Sequence, residues 1–364
     1  MSDDPKRDRP EEGGPEDRPA KVARRRAPAT TISLLGHTRK IMSIAWNSDG
    51  RLLASASHDH TVRVWDVQSA KQVTVVKHEG YVNSVSWSPD GIHLASMSYD
   101  GTVRAWIVAS GAEVCRAVHK RAFCYDWGYA AAWSPDGRRL ATASDDPDVC
   151  VWDAASGAET LRLQGHGDRV RSVAWSPDGR RLASASDDCT ARVWNAASGE
   201  EVLCVVHEHA AWHVSWSPDG RHLATATCGV VHLWDAESGT EIRCLTHGGR
   251  VRSVSWSPDG LRLASVSGDK TVCVWSPSTG ACVRQAHIHT KLSCDVSWSP
   301  RGDAIAFYDS KGSGSGKHQL VVWRLCDEPP EVVACARDVL YARLPVELVD
   351  MIAGNLAGGG GGRA

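Results

Sequence analysis

The chain has 364 residues, 42% hydrophobic and 23% charged, with a formal net charge of −2. That composition provides enough apolar mass for a sizeable core, and so neutral a balance argues against a protein whose main work is coating nucleic acid. No apolar run reaches the length of a membrane-spanning helix, the N-terminus lacks a signal-peptide core, and the twelve Cys include no C-x-x-C pair; no membrane partner is expected. The scattered Cys, such as Cys150, Cys204, Cys244 and Cys273, read as buried free thiols in a reducing, intracellular compartment.

Residues 1–30 are rich in Pro, Gly and charge and nearly devoid of bulky apolar side chains, so they are expected to be disordered. Lys6-Arg7 and the cluster Lys21, Arg24, Arg25 and Arg26 read both as a two-part nuclear import signal and as a solvated basic stretch, which leaves nucleus or cytoplasm as the expected location. A short strand, TISLL, follows from Thr31 to Leu35.

From there the chain rewrites one pattern seven times, most clearly from His166 to Asn195. Period-two runs around Val173 to Trp175, Leu182 to Ala185 and Ala191 to Trp194 predict strands, and Glu201 to Val206 predicts a fourth. Ser176-Pro177-Asp178-Gly179 predicts a tight turn between the first two, and Asp187-Asp188-Cys189 a second turn. One Trp precedes each first turn, at Trp46, Trp87, Trp133, Trp175, Trp216, Trp256 and Trp298, spaced by 41, 46, 42, 41, 40 and 42 residues. A second series marks the third strand: Trp65, Trp106, Trp152, Trp194, Trp234, Trp275 and Trp323. Four strands at this period predict an all-β, seven-bladed β-propeller of four-stranded antiparallel blades over residues 31–325. No fourth strand is evident after Leu320 to Trp323.

With Gly36-His37, Gly165-His166, Trp65-Asp66, Trp152-Asp153 and Trp234-Asp235 in register, the chain resembles the WD-repeat family. The resemblance implies that Thr31 to Leu35 supplies the missing strand of blade seven. It also implies a hydrogen-bonded set of His, Ser or Thr, Asp and Trp in each regular blade. By position these are His37, Ser55, Asp59 and Trp65 in blade one; His78, Ser96, Asp100 and Trp106 in blade two; and His119, Thr142, Asp146 and Trp152 in blade three. Blade four matches with His166, Ser184, Asp188 and Trp194, and blade six with His247, Ser265, Asp269 and Trp275. Repetition makes these sets structural rather than catalytic. Blade five keeps His207, Thr225 and Trp234, but its second turn is one residue short and carries Cys228-Gly229, so its set is expected to be incomplete. In blade seven His289 has the regular spacing to Trp298, and the second turn swells into a Gly-Ser loop from Asp309 to His318. The pairs His207/His209 and His287/His289 lack matching Cys or His partners nearby in sequence, and no metal or cofactor is expected.

The repeat accounts for fourteen of the sixteen Trp, leaving Trp127 and Trp212 at the start of inner strands. The resemblance places those positions on the top face, around the channel mouth, where partners bind. Read through the blades they are Lys40, Met42, Tyr81, Asn83, Trp127, Tyr129, Arg169, Arg171, Trp212, Arg250 and Arg252, joined by Tyr99 before the second turn. Aromatics and Arg are the side chains enriched at binding hot spots, and together they suit an acidic or phosphorylated peptide with an apolar anchor.

Residues 326–364 form an extension in which Pro345, Leu348, Ile352 and Leu356 predict a short amphipathic helix, about 345–356, before a Gly-rich tail. LPVELVDMIAGNL is similar to the opening of an F-box, which implies docking to a ubiquitin ligase; a helix capping the propeller accounts for the same residues. No G-x-S-x-G, phosphate loop or H-E-x-x-H occurs. The expected function is therefore a non-enzymatic scaffold that binds protein partners on its top face within a larger complex, with a ubiquitin-ligase substrate receptor as the alternative.

Overall fold

The period-two runs become twenty-eight strands in seven four-stranded antiparallel sheets in a computed structural model that describes residues 31–119, 130–290, 295–310 and 318–325. The N-terminal tail and its basic cluster, Trp127, Tyr129, most of the Gly-Ser turn and the C-terminal helix at 345–356 lie outside the described residues. No described helix is long and apolar enough to cross a membrane.

Blade four shows how the sequence folds locally. Its strands run Val170–Trp175, Arg181–Ser186, Thr190–Asn195 and Glu201–Val206, in that order across the sheet. Gly179 closes the first turn at φ 68°, and the matching glycines of the other six blades lie between 69° and 72°, a region closed to most side chains. In the second turn a non-Gly residue, Cys189, takes φ 64°.

Each second strand is buried on both faces, which is why it is written in Leu, Ala and Ser; Leu182, Ala183, Ser184 and Ala185 are fully enclosed. The core is divided among the seams between blades. Ala54, Ala56, Val62 and Val64 of blade one, for example, pack against Val82, Val85, Trp87 and Leu94 of blade two. Cys150, Cys273 and Cys282 are buried, as expected of free thiols, whereas Cys204, Cys228 and Cys244 are exposed. Cys204 and Cys244 stand on fourth strands, the outermost of each blade, where alternate side chains meet solvent.

Closure follows the strand count. Thr31–Leu35 pairs antiparallel with His318–Arg324, from Thr31 opposite Trp323 to Leu35 opposite Gln319, and completes the sheet of blade seven. Leu34, 1% exposed, fills the seam with Ile41, Leu53, Tyr308 and Leu320.

A second seam runs along the inner strands, where one side chain accepts the backbone N–H of the next blade. Val85 N–H donates to Ser43, Ala131 to Ser84, Val214 to Ser172 and Val296 to Ser253, at 2.9 to 3.4 Å. Ala130 has no side-chain acceptor, and His213, whose buried Nδ1 has no hydrogen-bond partner among the described residues, interrupts the series at blade five. At the closing seam Asp295 takes the role: its carboxylate accepts from Ile44 N–H at 2.8 Å and from the Ser253 hydroxyl at 2.8 Å. Burial lifts the Asp295 carboxyl to about 6, against the pull of the bonds from Ile44, Ser253, Val296 and Ser43.

Two outcomes follow for closure. Leu34→Ala should cost about 2–5 kcal/mol in a urea melt, whereas deleting residues 1–27 should leave the midpoint unchanged; equal behaviour of the two would show that another strand closes the ring. Because the folded-state pKa of Asp295 is raised, its contribution is fully present below the unfolded value near 3.8 and is lost as pH rises through about 6. The stability difference between the parent and Asp295→Asn should accordingly drift against the parent across that window, and a difference independent of pH would reject the assignment.

Candidate interaction face

The blade networks fix the loops that bear the face. In blade one His37 Nδ1 lies 2.8 Å from Asp59, His37 Nε2 lies 2.8 Å from Ser55 Oγ, and Trp65 N–H donates to the same hydroxyl at 2.9 Å. With Nδ1–H given to the carboxylate, Nε2 accepts the Ser O–H, whose oxygen accepts the indole, so every polar group in the chain is used. Blades two, four and six repeat it: His78 with Asp100, Ser96 and Trp106; His166 with Asp188, Ser184 and Trp194; His247 with Asp269, Ser265 and Trp275. Burial pushes the His37, His78 and His166 imidazoles below their usual range, which keeps them neutral. Desolvation works to raise the Asp188 carboxyl, yet bonds from Thr190, the Gly167 amide and His166 bring it down to about 2.

Blade three departs from its expected set. His119 keeps Thr142 at 2.9 Å and Trp152 donates to Thr142 at 2.7 Å, but among the described residues no bond joins His119 to Asp146. In the regular blades a Thr two residues after the Asp donates its hydroxyl to that carboxylate, as Thr190 does to Asp188 at 2.7 Å. Blade three has Asp148 there, which as a carboxylate cannot donate, and both acids turn to Arg162, at 3.8 and 3.3 Å. Blade five lacks the carboxylate altogether: Trp234 still donates to Thr225 at 2.9 Å, while neither ring nitrogen of the buried His207 has a hydrogen-bond partner among the described residues. In blade seven His289 pairs with Asp309 at 2.8 Å, but its ring is largely exposed and Phe307 stands at the register position of the Ser.

The face residues divide into a channel mouth and two flanking clusters. Met42, Asn83, Arg171, Trp212 and Arg252 line a central cavity of about 520 Å³ between the inner strands. Asn83 is 6% exposed, and among the described residues neither atom of its amide finds a hydrogen-bond partner. Lys40, Tyr81, Tyr99, Arg169 and Arg250 stand outside that lining. On blades one and two, Tyr81 stacks on His58 at 4.5 Å, meets Tyr99 edge-on at 5.8 Å and accepts a hydrogen bond from Arg39 at 3.1 Å.

On the other side Trp212 of blade five is held between two guanidinium groups, Arg171 of blade four at 4.7 Å and Arg250 of blade six at 4.4 Å from the ring centroid. The two arginines differ in charge balance. Arg171 forms a two-point bond with Asp187, at 2.8 and 2.5 Å, and Arg169 lies 3.5 Å from the same carboxylate. Arg250 is exposed and, among the described residues, has no carboxylate within ion-pairing distance. Counting Arg along the sequence missed this, because Asp187 lies sixteen residues from Arg171 and meets it only across the hairpin.

A family model described as the IFT122 first beta-propeller matches residues 128–313, about half of the chain, and one described as WD domain, G-beta repeat matches 29–66 and 70–106. Among curated proteins, the probable cytosolic iron-sulfur protein assembly protein Ciao1 of Culex quinquefasciatus is 52% identical over 44 residues, 12% of this chain and 13% of its own length. THO complex subunit 3 of Arabidopsis thaliana is 52% identical over 33 residues, 9% of this chain and 10% of its own. The ribosome biogenesis protein YTM1 of Yarrowia lipolytica is 44% identical over 50 residues, 13% of this chain and 10% of its own. The matched stretches thus span only about a tenth of these relatives.

Asp188→Ala should strand a buried imidazole and cost about 1–3 kcal/mol, whereas Cys228→Ala, in the blade whose carboxylate is missing, should cost less. Urea melts of the two variants compare them directly, and equal losses would contradict the pairing geometry.

Proposed function

Because the chain belongs to the WD-repeat family of β-propellers, we propose that it is a non-enzymatic scaffold that holds a peptide segment of a protein partner across the mouth of its channel. The observation that carries this reading is Trp212, a large aromatic that the repeat does not require, braced on the rim by Arg171 and Arg250. A side chain so fixed loses little freedom when it is covered, which is the character of an interface anchor. Arg250 and Arg169 favour acidic or phosphorylated residues beside the anchor, with Asp187 limiting the positive charge to the outer rim. The His58, Tyr81 and Tyr99 cluster supplies a second apolar contact across the mouth. The names of the relatives, an assembly protein, a member of a complex and a ribosome biogenesis protein, support a place within a larger assembly.

The test uses labelled acidic, phosphorylated and neutral peptides of equal length, titrated against the full chain. Trp212→Ala and Arg250→Glu should each weaken the preferred peptide by about 1–2 kcal/mol, roughly 5- to 30-fold. Added salt should diminish the Arg250 effect and leave the Trp212 effect in place, since screening acts on exposed charge. Arg180→Glu, in a first turn on the opposite face, should change nothing. Equal binding by both rim variants, or a loss at Arg180, would move the working surface elsewhere.

A further inference from the structure

The outer strands of blade five bring together His232, Glu241 and Cys244, whose ligand atoms all lie within 4.8 Å of one another. His232, on Val230–Asp235, stands opposite Cys244 on Glu241–Thr246, and a register shift beside Trp234 brings Glu241 alongside. His232 Nδ1 is 2.6 Å from Glu241 Oε1 and 3.7 Å from Cys244 Sγ, and the thiol is 2.9 Å from the same carboxylate oxygen.

The same place in blades one, two and four holds an arginine. Arg63 donates to Gln72 at 2.7 Å, Arg104 reaches Glu113 at 3.5 Å, and Arg192 binds Glu201 at 2.5 Å, with Cys204 opposite Arg192 as Cys244 is opposite His232. Blade five thus keeps the acid and the cysteine of blade four and replaces the fixed cation by an imidazole.

The orientation of that imidazole is set from behind. The Thr227 hydroxyl donates to Val230 O at 3.1 Å, so its oxygen is left to accept N–H from His232 Nε2, also at 3.1 Å. Nδ1 then faces the Glu241 oxygen and the Cys244 sulfur, and shares a proton with the carboxylate at 2.6 Å. A metal that displaced this proton and that of the thiol would find three donors converging on it. A histidine whose remote N–H is held by an oxygen, while its other nitrogen faces a thiol and a carboxylate, is the arrangement that metal sites use to fix a ligand.

We propose that His232 Nδ1, Glu241 and Cys244 bind a divalent zinc ion, with water in the fourth position. Nitrogen and sulfur donors exclude magnesium and calcium, which take oxygen, and favour zinc. Zinc at its usual bond lengths separates tetrahedral ligands by about 3.4–3.8 Å. The nitrogen–sulfur distance already meets this, and Glu241, with 39% of its side chain exposed, has room to swing outward. Binding breaks the Cys244 S–H bond, forms S–Zn and releases to solvent that proton and the one shared by His232 Nδ1 and Glu241; one carboxylate and one thiolate then balance the dication. Without a metal, burial and Glu241 push the Cys244 thiol up to about 11. The wall behind His232 is His207, at a ring distance of 4.9 Å, kept neutral because burial pushes it down to about 4.

The experiment titrates the full chain with zinc by calorimetry and with cobalt by absorption, where a thiolate-to-cobalt band reports a metal-bound Cys. The parent should take up one ion per chain and show the band. Cys244→Ser should lose the band, and His232→Arg, which installs the arginine of blade four and should fold as that blade does, should weaken uptake beyond the roughly 10- to 100-fold cost of outer-shell changes. Thr227→Val should reduce affinity without abolishing the band. Absence of uptake by the parent, or a band that survives Cys244→Ser or full uptake by His232→Arg, would overturn the proposal and leave a His–Glu ion pair in its place.

Discussion

Pairing of Thr31–Leu35 with His318–Arg324 converts a row of seven sheets into a ring, and the rest of the molecule depends on it. Each sheet buries its faces against its two neighbours, so a row would leave two end blades half covered and two inner edges unpaired. The closing strand covers one side of that gap through Leu34, and Asp295 bridges the inner strands of blades seven and one on the other. The bridge is a carboxylate at the one seam where the chain's two distant parts meet. Its serine counterparts elsewhere join blades that are consecutive in sequence.

Within the ring the His-Asp-Ser-Trp sets hold the loops. In blades one, two, four and six each ties the segment entering a blade to the second turn and to the third-strand indole, and so fixes the two loops that reach the channel mouth. The variants show which member matters for which contact. Loss of a hydroxyl donor at Asp148 turns the blade-three acids to Arg162, and loss of the acid in blade five leaves His207 without a hydrogen-bond partner among the described residues. Blade five combines several departures: it breaks the inner-strand stitches at His213, carries Trp212 on its rim and gathers three ligand-type side chains on its outer strands. Relaxation of the repeat and departure towards other chemistry coincide in the same forty residues.

The proposed interaction face depends on this framework in a direct way. Trp212 is placed by the start of one inner strand and braced by arginines from the blades on either side, so its geometry needs three correctly seated blades. Asp187 divides the arginines into one that holds the rim together, Arg171, and one that faces outward, Arg250.

Much of this is legible in the sequence because a propeller is built from local signals. Alternation sets the strands, Pro-Asp-Gly sets the turns, and a Trp every forty or so residues counts the blades; a missing fourth run marks the gap that the family resemblance assigns to the N-terminal strand. Contacts between strands are less legible, because the side chains that meet across a hairpin are separated by a distance that one bulge or one deleted residue shifts. The sequence names His119 and Asp146 as partners, yet the Asp148 beside them decides otherwise. It presents Arg171 as one more rim cation until the fold brings Asp187 against it, and it separates His232 from Cys244 by twelve residues that the register of two strands reduces to 3.7 Å. Period and turn chemistry are properties of neighbours along the chain and are written there; charge balance and ligand geometry are properties of neighbours in space, and only the packed sheets determine them.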